Sequence, residues 1–261
     1  MEVVIVPDKA AGGRLVGGAI EALLTRQPTA VLGLATGSSP RPVYDDLARR
    51  HRAGTLSAAH ARSFQLDEYV GLPAHHPQSY HAVIAREVTE RLDFAPGAAA
   101  GPDGSSADLP AACAAYERAI TESGGIDLQL LGIGSDGHIG FNEQVSSLAS
   151  RTRLKTLTEQ TRRDNARFFD DNVDSVPHHV LTQGIGTILD ARHVVLVAWG
   201  AGKAGAIARS VEGPVTAMVP ASALQLHPHA TVVVDEPAAQ ELALDHYYRA
   251  TWTAKPAWQG L

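Results

Sequence analysis

Apolar residues in this chain arrive in short runs, and between the runs stand longer stretches where apolar side chains recur at helical spacing. Residues 3–6, 31–35, 62–66, 128–131, 193–199 and 231–234 have the length and content of buried strands. Residues 15–24, 79–92, 111–120, 204–211 and 242–249 read as helices, and another starts near Pro40 with Val43, Tyr44, Leu47 and Ala48 on one face. Residues 94–110 are rich in glycine, alanine and serine and read as a surface connection. Residues 182–187 read as a loop returning to the core. Strand, loop and helix alternate through most of the chain. That alternation predicts an α/β protein, with an open, mainly parallel, doubly wound sheet and helices on both faces. In such a sheet the carboxyl ends of the strands share one edge, and ligands bind there.

Four strand ends deliver candidate chemistry to that edge. The run at 128–131 breaks into Gly132-Ile133-Gly134-Ser135-Asp136-Gly137-His138-Ile139-Gly140-Phe141-Asn142-Glu143. Asp136 and Glu143 flank His138, the arrangement of an oriented histidine in acid–base chemistry. The same stretch contains Gly132-x-Gly134-x-x-Gly137, formally a dinucleotide fingerprint. Asp136 would put a negative charge where a pyrophosphate should sit, so that reading is set aside. The strand at 31–35 runs into Thr36-Gly37-Ser38-Ser39, a loop with free amides suited to a phosphate. Ser38 or Ser39 could equally cap the helix that follows. Residues 62–66 lead to Asp67-Glu68-Tyr69. Lys203 stands where a strand hands over to a helix start, a position the helix dipole disfavours for a cation unless an anion lies nearby.

The chain has 261 residues, 44% of them hydrophobic, enough for one large α/β domain or two small ones. A net charge of −6 advertises no nucleic-acid surface, although local cations can still receive a small anion. Residues 150–167 carry such cations, interleaved with aspartates in their later part. They read either as a salt-bridged surface helix or as a cationic segment that closes over an anionic substrate. The single Cys113 excludes an intramolecular disulfide and lies in an alanine-rich helix, where packing is its expected role. His75-His76, His178-His179, His227 and His229 lack zinc-site spacing, so no metal is expected. No leader and no run long enough to span a bilayer is visible, which predicts a cytoplasmic protein without a membrane partner.

Taken together these motifs resemble the glucosamine-6-phosphate deaminase (isomerase) family over nearly the whole chain, as a single domain spanning residues 1–261. The resemblance is carried by Leu32-Gly33-Leu34-Ala35-Thr36-Gly37, by Leu66-Asp67-Glu68-Tyr69-Val70-Gly71-Leu72 and by the stretch from Gly134 to Glu143. It continues through residues 147–158, Arg167-Phe168-Phe169 and Leu224-Gln225-Leu226-His227-Pro228. It implies a modified doubly wound fold and a cofactor-free conversion of glucosamine 6-phosphate and water to fructose 6-phosphate and ammonia. By that resemblance Asp67 moves the proton between carbons 2 and 1. His138 assists ring opening, with Asp136 and Glu143 orienting it. Thr36, Gly37, Ser38, Ser39, Arg167 and Lys203 hold the phosphate, and residues 153–182 form a mobile lid.

Some members of the family are hexamers activated by N-acetylglucosamine 6-phosphate, and Ser146, Arg153 and Lys155 match their activator motif. A homo-oligomer, with the hexamer as one form, is therefore expected. The C-terminal segment 247–261 diverges from those members, and Gly37-Ser38-Ser39 stands where many read Gly-Gly-Thr. A 6-phosphogluconolactonase would not need Asp67 in this role. A galactosamine 6-phosphate deaminase and a non-catalytic sugar-phosphate sensor are the alternatives.

Overall fold

The computed structural model describes all 261 residues. From the amino terminus they form β1 (Glu2–Val6), α1 (Lys9–Arg26), β2 (Val31–Leu34), α2 (Arg41–Arg52), β3 (Arg62–Gln65) and β4 (Asp67–Tyr69). Next come α3 (Tyr80–Ile84), which continues into a π-helical turn at Ala85–Thr89, then β5 (Ala99–Ala100), α4 (Leu109–Glu122) and β6 (Leu128–Leu131). The chain continues with β7 (Arg153–Thr156), α5 (Glu159–Ala166), β8 (His179–Thr182), α6 (Ile185–Leu189) and β9 (His193–Ala198). It ends with α7 (Ala204–Val211), β10 (Ala230–Asp235), α8 (Glu236–Ala239) and α9 (Asp245–Ala254).

Seven strands form one open sheet in the order β1-β10-β9-β6-β2-β3-β5, and every pairing in it is parallel. Alternation along the strands divides the core into two. Val194, Leu196 and Ala198 of β9 join Val232 and Val234 on one face, while Val195, Val197 and Val233 join the other. The first face is covered by Tyr116 and Ile120 of α4, Ile188 of α6 and Ala206 and Ile207 of α7. The second is covered by Val16 and Ile20 of α1 and Val43, Tyr44 and Leu47 of α2. Helices on both faces make the strands apolar throughout, and β9 is buried along its whole length. After β2 the chain builds toward β3 and β5; after β6 it builds toward β9 and β10. The reversal opens a crevice at the carboxyl ends of β2 and β6, the expected ligand position.

Several expectations need correction. The helix after β2 is not capped by Ser38 or Ser39: Pro40 is its N-cap, in helical conformation, and no side chain caps it. Residues 94–110 hide the two-residue edge strand β5. The helix expected over 79–92 has only one α-helical turn and then widens into the π-helical turn. Residues 150–167 are not one surface helix, because β7 and α5 divide them. Residues 182–187 complete β8 and begin α6 rather than forming a loop.

These last segments belong to a second sheet, β4-β8-β7, which is antiparallel. The chain passes from one sheet to the other at Leu66, whose N–H bonds the Leu34 carbonyl while its own carbonyl accepts from the Gln183 N–H. Between β7 and β8 the chain folds over Tyr69 and Phe141, burying Leu157, Ala166, Phe169 and Val176 in a small core of its own. No helix is long and apolar enough to cross a membrane.

Candidate active site

The crevice holds a cavity of about 240 Å³. Thr36, Gly37, Ser38 and Ser39 line it from the end of β2, Asp67 from the second sheet, His138 from the loop after β6, Arg167 from the end of α5, and Lys203 from the start of α7. Four strand ends and the segment between β7 and β8 thus meet at one cavity, while Asp136 and Glu143, expected in the same cluster, do not line it.

Asp67 opens β4, and β4 is buried by the helices and strands packed around it. The residue is 4% exposed, and no protein donor bonds its carboxylate. Burial, with the Glu68 charge beside it, holds its pKa well above the ordinary carboxylate range. Glu68 itself has a structural task. Its oxygens accept from the backbone N–H of Tyr80 and His81 at 2.9 and 2.8 Å, satisfying the free amides that begin α3. The Tyr69 hydroxyl accepts from Asn165 Nδ2 at 3.0 Å, tying the second sheet to α5.

His138 lies over Gly134. A Cβ at that glycine would stand 2.3 Å from the imidazole, so only glycine admits the ring. Asp136 Oδ1 is 2.7 Å from His138 Nδ1 and also accepts the His138 backbone N–H at 3.2 Å. The side chains are in close contact, with the carboxylate oxygen off the ring N–H direction. The histidine beside it holds Asp136 down at about 2. Asp136 is therefore a fixed negative charge against the imidazole.

Glu143 departs from its expected place. It does not share the His138 ring; its Oε1 accepts from the hydroxyls of Thr161 at 2.6 Å and Thr158 at 3.4 Å. The Ile139–Asn142 bridge turns the chain before Glu143, and the side chain emerges toward α5. Its contact is with the segment over the cavity, not with the acid–base pair.

Two cations converge on the hydroxyl-rich loop. Lys203 is half-buried, and burial together with the Arg167 charge lowers its pKa. Arg167 also rests over the Phe168 ring at 4.7 Å. Two cations held this close, without a carboxylate bonded to either, make a site that favours an anion between them. Because Ser38 and Ser39 do not cap α2, their hydroxyls remain free to face it.

The cavity also contains residues that sequence reasoning missed. Tyr80 and Phe141 stack at 6.0 Å between centroids, and Tyr69 meets Tyr80 at 4.9 Å, giving the site an aromatic wall. Arg86 reaches the rim from the π-helical turn. Tyr69 directly after Glu68 and Phe141 in the histidine loop were visible signals of the wall; the π-helical turn was not, because helical spacing assumes a regular pitch. Nowhere do three or more histidine, cysteine, aspartate or glutamate side chains gather to hold a metal ion.

A doubly wound sheet with a buried carboxylate, a histidine in contact with an aspartate and two cations at its switch point is the frame of an α/β enzyme for a small anionic substrate. The chain belongs to the glucosamine-6-phosphate isomerase/6-phosphogluconolactonase family, whose model matches residues 9–234. It is 66% identical to a glucosamine-6-phosphate deaminase of Streptomyces coelicolor over 261 residues, the full length of both chains. The structure resembles that of a monomeric glucosamine-6-phosphate deaminase with a TM-score of 0.90 and 40% identity, covering 92% of this chain and 100% of the other. A 6-phosphogluconolactonase from Trypanosoma cruzi shares the fold at a TM-score of 0.75 and 19% identity, over 93% of this chain and 97% of that one.

Proposed function

We propose that the protein converts glucosamine 6-phosphate and water to fructose 6-phosphate and ammonia. The observation that carries this reading is a buried carboxylate, Asp67, sharing one cavity with His138 and with the Arg167–Lys203 pair. The phosphate lies against Thr36–Ser39 and the two cations, where backbone amides and fixed positive charge act together. His138, held by Asp136, moves the proton that opens the sugar ring to the aldehyde. Asp67 then takes the proton from carbon 2, leaving an enolamine across carbons 1 and 2. Returning a proton to carbon 1 makes that carbon a hydroxymethyl group and leaves an iminium at carbon 2. Water adds there, ammonia leaves, and the ketose remains. No step requires a cofactor. A lid made of residues 153–182 shields the enolamine from water until the proton has returned.

The base has to be ionised to act, and its pKa is raised. Activity therefore falls on acidification at a higher pH than a solvent-exposed aspartate would give. Ammonia release from glucosamine 6-phosphate is the direct test, with Asp67→Asn beside the native protein. The substitution should lower kcat by about 100- to 10,000-fold with little change in KM. Tight sugar-phosphate binding without ammonia would replace this reading with a sensor. Release only from galactosamine 6-phosphate would move the substrate and keep the mechanism.

Regulation belongs to the same proposal. Ser146 is 4% exposed and its hydroxyl has no hydrogen-bond partner. Arg153 lies half-buried on β7, with its pKa lowered by burial alone, and Lys155 follows it by two residues on the same face. These residues form a second anion site, for N-acetylglucosamine 6-phosphate. Nearby Val145 is 74% exposed and bonds through its N–H to Ala217, next to the half-exposed Met218. Self-association into a homo-oligomer, up to the hexamer, that an activator would bias belongs to the same proposal, with Val145 and Met218 as its candidate contacts.

A further inference from the structure

The two halves of the phosphate pocket come from loops with no backbone hydrogen bond between them, one after β2 and one after β9. Trp199 joins them. It follows the last residue of β9 and stands four positions before Lys203, and its indole Nε1 donates to the Ser39 carbonyl at 2.7 Å. The ring is partly buried against the apolar core under α1. Gly12, in the first turn of α1, is what admits it: a Cβ there would stand 2.3 Å from Cη2 of the indole. On the far side of the tryptophan, the Gly200 N–H donates to Asp235 Oδ1 at 2.9 Å, anchoring the loop that carries Lys203 to the end of β10. Trp199 does not line the cavity.

We infer that Trp199 is the positioning residue of the phosphate pocket: its indole N–H, on a ring that Gly12 admits, holds Ser39 and its free hydroxyl in register with Lys203. The physical reason is geometric. The bonded carbonyl belongs to the Ser39–Pro40 peptide; the proline ring fixes the dihedral on one side of it, so the indole bond sets ψ of Ser39 on the other, and with it where the Ser39 side chain stands. The Tyr44 hydroxyl holds the start of this loop at the Ala35 carbonyl, and no side chain caps α2 at its end, which leaves the indole bond as the hold on Ser39. The inference rests on the phosphate reading given above, and it concerns ground-state binding of the phosphate rather than the proton transfers at carbons 1 and 2.

The test uses the full chain with inorganic phosphate as the probe. Trp199→Phe keeps a ring on the core and deletes the N–H. It should raise both the KM for glucosamine 6-phosphate and the inhibition constant of inorganic phosphate by about three- to tenfold, the effect of one lost hydrogen bond, and leave kcat within about twofold. Gly12→Ala pushes the ring away while retaining the indole, and should raise the same two constants. The chain has three tryptophans, and Trp252 and Trp258 lie by another cavity, at the opposite end of the strands. A change of emission on adding phosphate to the native protein should therefore vanish in Trp199→Phe. Lys203→Ala serves as the control on the pocket. If that variant binds phosphate as well as the native protein does, both the phosphate reading and this inference fall. If it loses phosphate while Trp199→Phe and Gly12→Ala retain it unchanged, the pocket stands and the role of the tryptophan is overturned.

Discussion

Ionising Asp67 takes a charge out of water into a place where no protein donor meets it, so the native state holds the proton more tightly than the unfolded chain does. The sign of the consequence follows from linkage. A raised folded pKa contributes stability below the unfolded value, near 3.9, and that contribution is lost as pH rises through the folded value. Asp67→Asn, which cannot ionise, should therefore raise Tm at neutral pH, and the gain should disappear in acid. Melting curves of the two proteins across pH decide it: a variant equally or less stable at neutral pH would mean that the charge is not strained. The neighbouring Asp136 titrates in the opposite sense, held at about 2 by His138, so its contribution is present above the ordinary carboxylate range and fades only in strong acid. At this scale the sequence was most informative. Asp67, His138 and Lys203 each follow an apolar run, and a parallel sheet sends all such positions to one edge. Arg86 and Glu143 were not legible in the same way. One depends on a change of helical pitch, and the other on the direction of a single turn.

Among elements, α5 is held in place by polar contacts more than by area. Thr158 caps it, Asn165 bonds Tyr69, and Thr161 donates to the buried Glu143. Removing the last bond leaves a carboxylate with only the longer Thr158 contact, at a cost of about 1–3 kcal/mol. Thr161→Val should accordingly speed amide exchange in α5 about tenfold or more while leaving β9 unchanged; equal protection in both proteins would rule out this latch. The second sheet, from which α5 hangs, was hidden in the sequence for a physical reason. Its strands are three or four residues long, β7 alternates partly buried Arg153 and Lys155 with exposed Leu154 and Thr156, and β4 finds its partner more than a hundred residues away. Periodicity reads local burial, and here the pairing is long-range and the usual polarity of the faces is reversed.

For the whole molecule, the smaller sheet, which meets the seven-stranded one at Leu66, carries both Asp67 and the proposed second anion site. If the second anion site operates, N-acetylglucosamine 6-phosphate should lower the substrate concentration for half-saturation, and Arg153→Ala should abolish that response while basal turnover persists. Sedimentation at assay concentrations would show whether the response needs an assembly. A saturation curve indifferent to the sugar would remove the activator site. In the register of the smaller sheet, Arg153 faces Thr182, and Thr182 faces Asp67. Asp67, the proposed base, is thus the third rung of a ladder whose first rung is Arg153 of the proposed activator site, and two strand pairings separate them. An anion gripped at the first rung would not have to reshape the pocket to be felt at the third. Stiffening the ladder would suffice, making the proton affinity of Asp67 a gauge of how firmly the far strand is held.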